Sequence, residues 1–133
     1  MLKLEIVTPE KKVLDAEVES VTIPTASGEA GILTNHAPLV SELKPGILSY
    51  TAKSGSEKIA VSGGFVEVSG NSVSVLTDTA ETASEVDLEA AKADREAAEK
   101  ELTAHASSDI DYTAAARERL ESASARIQLA SGK

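Results

Sequence analysis

The chain changes its hydrophobic period once, near its middle. Up to about Thr77 the dominant spacing is two. Leu2, Leu4 and Ile6 share one face of a strand, with Lys3 and Glu5 on the other. Thr8-Pro9-Glu10-Lys11 then predicts a turn, because proline fixes φ and cannot donate to a ladder. Val13 to Ile23 predicts one or two short strands through Val18, Val21 and Ile23. Lys44-Pro45-Gly46 is a second turn leading into Ile47 to Thr51, and Ser54-Gly55-Ser56 reads as a hairpin tip. Lys58 to Val61 and Phe65 to Val68 flank Ser62-Gly63-Gly64. Gly70-Asn71 is a further tip before Val73, Val75 and Thr77. Roughly seven to ten short strands with turns at this spacing predict a β-sandwich or barrel.

After Ala80 glycine is absent until Gly132 and proline disappears, while Ala, Glu, Lys and Arg, all strong helix formers, take over. Leu88, Ala91, Arg95, Ala98 and Leu102 fall on one stripe of a first helix, with Ser84 or Asp87 as its cap. Ala106-Ser107-Ser108-Asp109 interrupts the pattern. Asp111 is placed to cap a second helix whose stripe runs Tyr112, Ala116, Leu120, Ala123, Ile127 and Ala130. Two amphipathic helices joined by a short loop predict an antiparallel hairpin. The fold class is therefore α+β: an N-terminal β-sandwich over residues 1–84 and a C-terminal two-helix hairpin over residues 85–133. The hairpin seam is mainly alanine. At roughly 0.8 kcal/mol per buried CH₂ it holds far less firmly than a leucine seam, so the hairpin is expected to be a movable part.

One segment fits neither period. Gly28 to Leu39 reads GEAGILTNHAPL and is expected to be a loop carrying a contact surface. Gly28 and Gly31 flank Glu29, allow tight backbone turns and leave its carboxylate projecting. Read alone, Glu29 is either a contact residue or a solvated acid.

Composition narrows the chemistry. In 133 residues aromatics make up 2% and tryptophan is absent, so the core must be built from Val, Ile, Leu and Ala. Without cysteine there are no disulfides or thiolate metal sites. The net charge of -9 opposes binding to nucleic-acid phosphates. Residues 85–111 carry three basic and nine acidic side chains, whereas residues 112–133 carry four basic and two acidic. The start lacks the apolar run of a signal peptide, and no stretch reaches the ~20 apolar residues of a bilayer span. Membrane attachment is thus expected only through a partner.

No catalytic or metal site is expected. His36 and His105 are the only histidines and have no second ligand at helical spacing. No serine sits in a nucleophile elbow. Ser62-Gly63-Gly64 has neither the following helix nor the Lys-Ser/Thr of a phosphate cradle, so a bulge or tight bend is expected.

The Gly28–Leu39 segment resembles the loop typical of the ε subunit of F-type ATP synthases, Gly-Glu-x-Gly-Ile/Val-Leu/Tyr-Pro-Gly-His-x-Pro-Leu. The likeness extends to Val7-Thr8-Pro9, Leu43-Lys44-Pro45-Gly46, Val61-Ser62-Gly63-Gly64-Phe65-Val66-Glu67-Val68 and Asp109-Ile110-Asp111-Tyr112. The resemblance implies a non-catalytic rotor subunit of a bacterial ATP synthase. Its sandwich would clamp to the γ subunit and sit on the ring of c subunits, coupling proton flow to ATP synthesis. The complex would hold it at the cytoplasmic face of the inner membrane. Its hairpin would be regulatory, either folded on the sandwich or extended along γ toward the catalytic β subunits.

Carried residue by residue, the resemblance sets Gly28, Glu29 and Gly31 against the c ring. It gives His36, with Pro38 and Leu39 beside it, a structural or γ-contact role. Arg117, Arg119 and Arg126 make the second helix basic. They are either a solvated face paired with Glu118 and Glu121 or, as the family's inhibitory state implies, a contact to an acidic segment of β. Several family members bind ATP through Ile/Leu-Asp-x-x-Arg-Ala on the first helix. Here that run is Val86-Asp87-Leu88-Glu89-Ala90-Ala91, and Ala90 and Ala97 stand where the family has arginines. Phosphates need cationic partners, so no bound nucleotide is expected. The alternative reading is a stand-alone nucleotide-sensing regulatory module.

Overall fold

The computed structural model describes residues 1–104 and 110–131, with the side chains of 110–113 excepted. Ten strands come first: β1 (Leu2–Val7), β2 (Lys12–Val18), β3 (Ser20–Thr25), β4 (Gly28–Leu33), β5 (Leu39–Leu43), β6 (Gly46–Ala52), β7 (Gly55–Val61), β8 (Gly64–Ser69), β9 (Ser72–Thr77) and β10 (Ala80–Glu81). A 3-10 turn at Ala83–Glu85 leads into α1 (Leu88–Ala104), and α2 spans Ile110–Ala130. The β-sandwich and two-helix hairpin are those expected from the two hydrophobic periods.

Strand order is β10-β7-β6-β3-β5-β8-β9-β1-β2, with β4 paired to β3. Only β1 and β9 run parallel; every other pair is antiparallel. Far along this order from β6, β2 nevertheless comes into contact with it, so the sheet folds over into two layers. Pro24 marks a corner. With no N–H to donate, it follows Thr22, where the β3–β6 ladder stops, and precedes Thr25, which bridges to β5. The core between the layers is aliphatic: Leu2, Leu4, Ile6, Val21, Ile23, Ile32, Leu48, Val66, Val73 and Val75 are essentially inaccessible. The period-two reading of β1, β3 and β9 is therefore the true inward phase.

The Gly28–Leu39 segment is corrected by the structure. Gly28 to Leu33 is strand β4, paired with β3 from Thr25↔Gly28 to Ser20↔Leu33. Only residues 34–38 form a connection before β5, a strand the sequence reading left unassigned. Gly28 does take a left-handed backbone (φ 114°), but Gly31 lies inside β4 opposite Thr22 and makes no such turn. Ala30 and Ile32 supply the inward phase there, and the glycines mask it by leaving one position on each face, 28 and 31, without a side chain.

Gly64 is a different case. A Cβ on it would fall 1.9 Å from the Leu76 carbonyl oxygen, so β8 and β9 can close only over glycine. Thr77, buried beside it, donates its hydroxyl to the Ser62 carbonyl at 2.9 Å, and the Ser62 hydroxyl accepts the Thr79 N–H at 2.9 Å. Ser62-Gly63-Gly64 is thus the expected tight bend.

The hairpin follows its alanine seam: Ala91 and Ala98 of α1 and Ala116 and Ala123 of α2 are buried. Arg95 does not belong to the seam. It is exposed and pairs with Glu99 at 3.6 Å. Asp87 caps α1, accepting the Ala90 N–H at 3.1 Å, while Ser84 lies in the 3-10 turn. Since α2 begins at Ile110, Asp111 is a helical residue rather than a cap. The predicted interruption at 106–109 and His105 lie outside the described residues, as does the side chain of Tyr112. A second face of α2, with Ala125 and Leu129 buried, meets the sheet where α2 packs on β6, β7 and the 3-10 turn.

Candidate functional site

The residues singled out by sequence occupy three places. At the β3–β4 tip, the Thr25 hydroxyl donates to the Gly28 carbonyl and closes the turn. Glu29 is exposed opposite Pro24, and its carboxylate makes no ion pair among the described residues. It borders an open groove of about 690 Å³ shared with Leu120, Glu121 and Ala125 of α2. A carboxylate left unpaired on an exposed strand is free to meet a cation on another chain.

The connection from β4 to β5 is the second place. The His36 N–H donates to the Leu33 carbonyl at 3.1 Å. Its ring Nδ1 lies 2.7 Å from the Ala37 carbonyl. A carbonyl only accepts, so Nδ1 carries a proton and donates it there. Pro38 is exposed. Leu39 turns inward, half-buried against the core, and its neighbour Val40 projects outward with 71% of its surface open.

Val40 opens onto a surface that the sequence reading did not single out. Phe65 and Leu76 face each other across β8 and β9, and Leu76 faces Val7 across β9 and β1. Phe65 is 60% exposed and Leu76 55%. With Pro9 they shape a shallow concavity of about 500 Å³. Exposed aliphatic and aromatic side chains gathered on one sheet face mark a contact surface. The signal was present: if Val66 and Val68 point inward, alternation must point Phe65, the only phenylalanine, outward.

The third place is the underside of the hairpin. Arg126 is largely enclosed, with its Nε 2.7 Å from Glu81 Oε1 and a terminal nitrogen 3.5 Å from Asp94 Oδ2. The Nε contact is an ion pair without an aligned N–H, while a second terminal nitrogen donates to Glu81 Oε2 at 3.4 Å. Arg119 pairs with Glu101 of α1 at 3.2 Å, and Arg117 is half-buried and also engaged. Arg119 and Arg126 share a side of α2, as their seven-residue spacing requires, and both border a cavity of about 700 Å³ with Lys11. Ala90 and Ala97 are exposed on α1 and bring no cation. Among the described residues no cluster of His, Cys, Asp or Glu could hold a metal, and no helix is long and apolar enough to cross a membrane.

The family described as ATP synthase, Delta/Epsilon chain, beta-sandwich domain matches residues 1–83. The chain belongs to that family. Curated relatives are ATP synthase epsilon chains. That of Desulfitobacterium hafniense is 54% identical over 65 residues, 49% of this chain and 49% of its own. That of Carboxydothermus hydrogenoformans is 54% identical over 67 residues, 50% of each chain. The chain thus spans about half the length of the curated relatives it matches. A chain in the structure of Euglena gracilis mitochondrial ATP synthase, OSCP/F1/c-ring in rotational state 1, superposes with a TM-score of 0.75 at 29% identity. That match covers 92% of this chain and 77% of the other. The family match takes in the β3–β4 tip, the 34–38 connection and the apolar face, and stops before α1.

Proposed function

We propose that this chain is a non-catalytic rotor subunit of an F-type ATP synthase, joining γ to the c ring and working by binding alone. Membership of the epsilon family and the likeness to a chain in an assembly containing F1 and a c-ring support this reading. The observation that carries it is the open apolar face of Val7, Val40, Phe65 and Leu76. Val7, Leu76 and Phe65 form one row across β1, β9 and β8, and Val40, opposite Glu67 and next to Leu39, lies between that row and the 34–38 connection. That face, together with His36 and Pro38 at the other end of the same strands, docks γ, and residues 1–84 suffice for it. Glu29 at the β3–β4 tip meets the basic polar loops of the c ring, with Gly28 shaping the turn and Gly31 leaving room. The chain is held at the cytoplasmic side of the membrane through the complex, which couples proton flow to ATP synthesis.

The hairpin is regulatory in this reading. It is folded on the sandwich here, and its alanine seam and ion pairs bury little apolar surface. An extended state therefore differs by only a few kcal/mol. In that state Arg117, Arg119 and Arg126 would face acidic segments of β and restrain ATP hydrolysis.

Co-purification tests the central claim. The intact chain and its 1–84 fragment should both capture γ, and Phe65→Asp with Leu76→Asp should abolish capture while the sandwich stays folded. Retention of γ by the double variant would overturn the assignment of this face.

A further inference from the structure

The connection at residues 34–38 turns on Asn35, the only non-glycine with a positive φ (68°) among the described residues. Asparagine tolerates this conformation better than most side chains, yet a tolerated conformation is not a held one. Here the holding comes from elsewhere in the chain. The Asn35 N–H donates to the Asn71 side-chain oxygen at 2.8 Å, across 36 residues of sequence. An N–H requires an acceptor, so the oxygen rather than the nitrogen of the Asn71 amide must face it.

Asn71 is itself well anchored. It follows Gly70 (φ 60°) at the β8–β9 tip, and its backbone carbonyl accepts the Lys3 N–H at 2.8 Å at the start of β1. One residue thus joins the β4–β5 connection to the tip of the hairpin whose outer face bears Phe65 and Leu76. We infer that Asn71 is a positioning residue for the docking surface. Its side-chain oxygen holds the Asn35 turn in register with the β8–β9 hairpin, so that His36 and Pro38 meet a partner together with the apolar face. The bond is solvent-exposed and adds little to folding. Its effect is on binding, because a turn already held in place loses less freedom when a partner docks. This rests on the reading that the face docks γ.

The test compares Asn71→Ala with Asn71→Asp in the full chain. The Asn35 amide should exchange faster with solvent and its resonance should move in Asn71→Ala, while Asn71→Asp, which keeps an acceptor oxygen, should preserve both. Affinity for a γ-containing assembly lacking this chain should fall roughly two- to tenfold in Asn71→Ala, the worth of one net hydrogen bond. In Asn71→Asp it should recover. An unchanged Asn35 amide in Asn71→Ala overturns the inference whatever γ does, as does Asn71→Asp behaving like Asn71→Ala. A disturbed turn with unchanged γ affinity also overturns it. In that case the Phe65→Asp, Leu76→Asp variant separates the two claims. Loss of γ there leaves the docking face standing, and retention of γ removes it as well.

Discussion

Arg126 of α2 and Glu81 of β10 are 45 residues apart and meet at 2.7 Å, the closest charged contact between hairpin and sandwich among the described residues. Asp94 of α1 approaches the same guanidinium at 3.5 Å, so one arginine ties both helices to the sheet. The three arginines of α2 are therefore not equivalent. Arg126 is enclosed and holds the folded-down state, whereas Arg119 pairs with Glu101 at the surface.

Arg126→Ala should loosen the docked hairpin by about 1–2 kcal/mol, between the worth of an exposed pair and that of a buried one. Arg119→Ala should cost well under 1 kcal/mol. Hydrogen exchange across α2 measures both. In the assembled enzyme Arg119→Ala should relieve restraint of hydrolysis. Arg126→Ala should increase restraint if release of the hairpin outweighs the lost contact to β. Equal exchange rates in the two variants would rule out a special role for Arg126.

Gly64→Ala should be among the most damaging small substitutions in the chain. Its Cβ would sit 1.9 Å from the Leu76 oxygen, in a strand pair with no room to open. A loss of about 3 kcal/mol or more is expected, from strained backbone and overpacking together. Gly63→Ala, with its nearest neighbour at 3.7 Å, should be close to neutral. Thermal melts of the two variants give the comparison.

The link between sandwich and α1 should respond to acid. Glu85 accepts the Thr82 N–H at 2.9 Å and the Thr82 hydroxyl at 3.0 Å. The backbone bond first, then the hydroxyl, lower its pKa below the ordinary carboxylate value, with Lys11 adding to the same direction. A depressed folded-state pKa stabilises above the unfolded value, and that contribution is lost as pH falls through the folded one. The Thr82 amide should therefore lose protection only below the normal glutamate range. Glu85→Gln, which keeps an acceptor, should remove that pH dependence.

At the β3–β4 tip the two glycines should behave oppositely. Gly28→Val forces a β-branched residue to a φ of 114° and should cost at least about 1–2 kcal/mol, displacing Glu29 and impairing coupling to proton transport. At Gly31 an added Cβ meets no atom within 4 Å and the backbone is not left-handed, so Gly31→Val should fold normally. Normal pumping by a folded Gly28→Val variant would count against a c-ring role for Glu29.

The hydrophobic pattern by itself determined the architecture. Leu2, Leu4, Ile6, Val66, Val68, Val73 and Val75 alternate because each strand has one inward face, and Ala91, Ala98, Ala116 and Ala123 recur at seven because two helices touch along one seam. Such regularities are local, so periodicity reveals them. Where side chains were missing or a contact was distant, the tertiary structure decided. β4 was hidden because glycines at 28 and 31 carry no side chain to report a face, and β5, which the loop reading met only at Leu39, went unassigned. That Phe65 joins Leu76 and Val7 follows from strand order, which no local pattern encodes. The meetings of Arg126 with Glu81 and of Asn71 with Asn35 depend on how the chain returns to itself over tens of residues, and only the packed fold sets those distances.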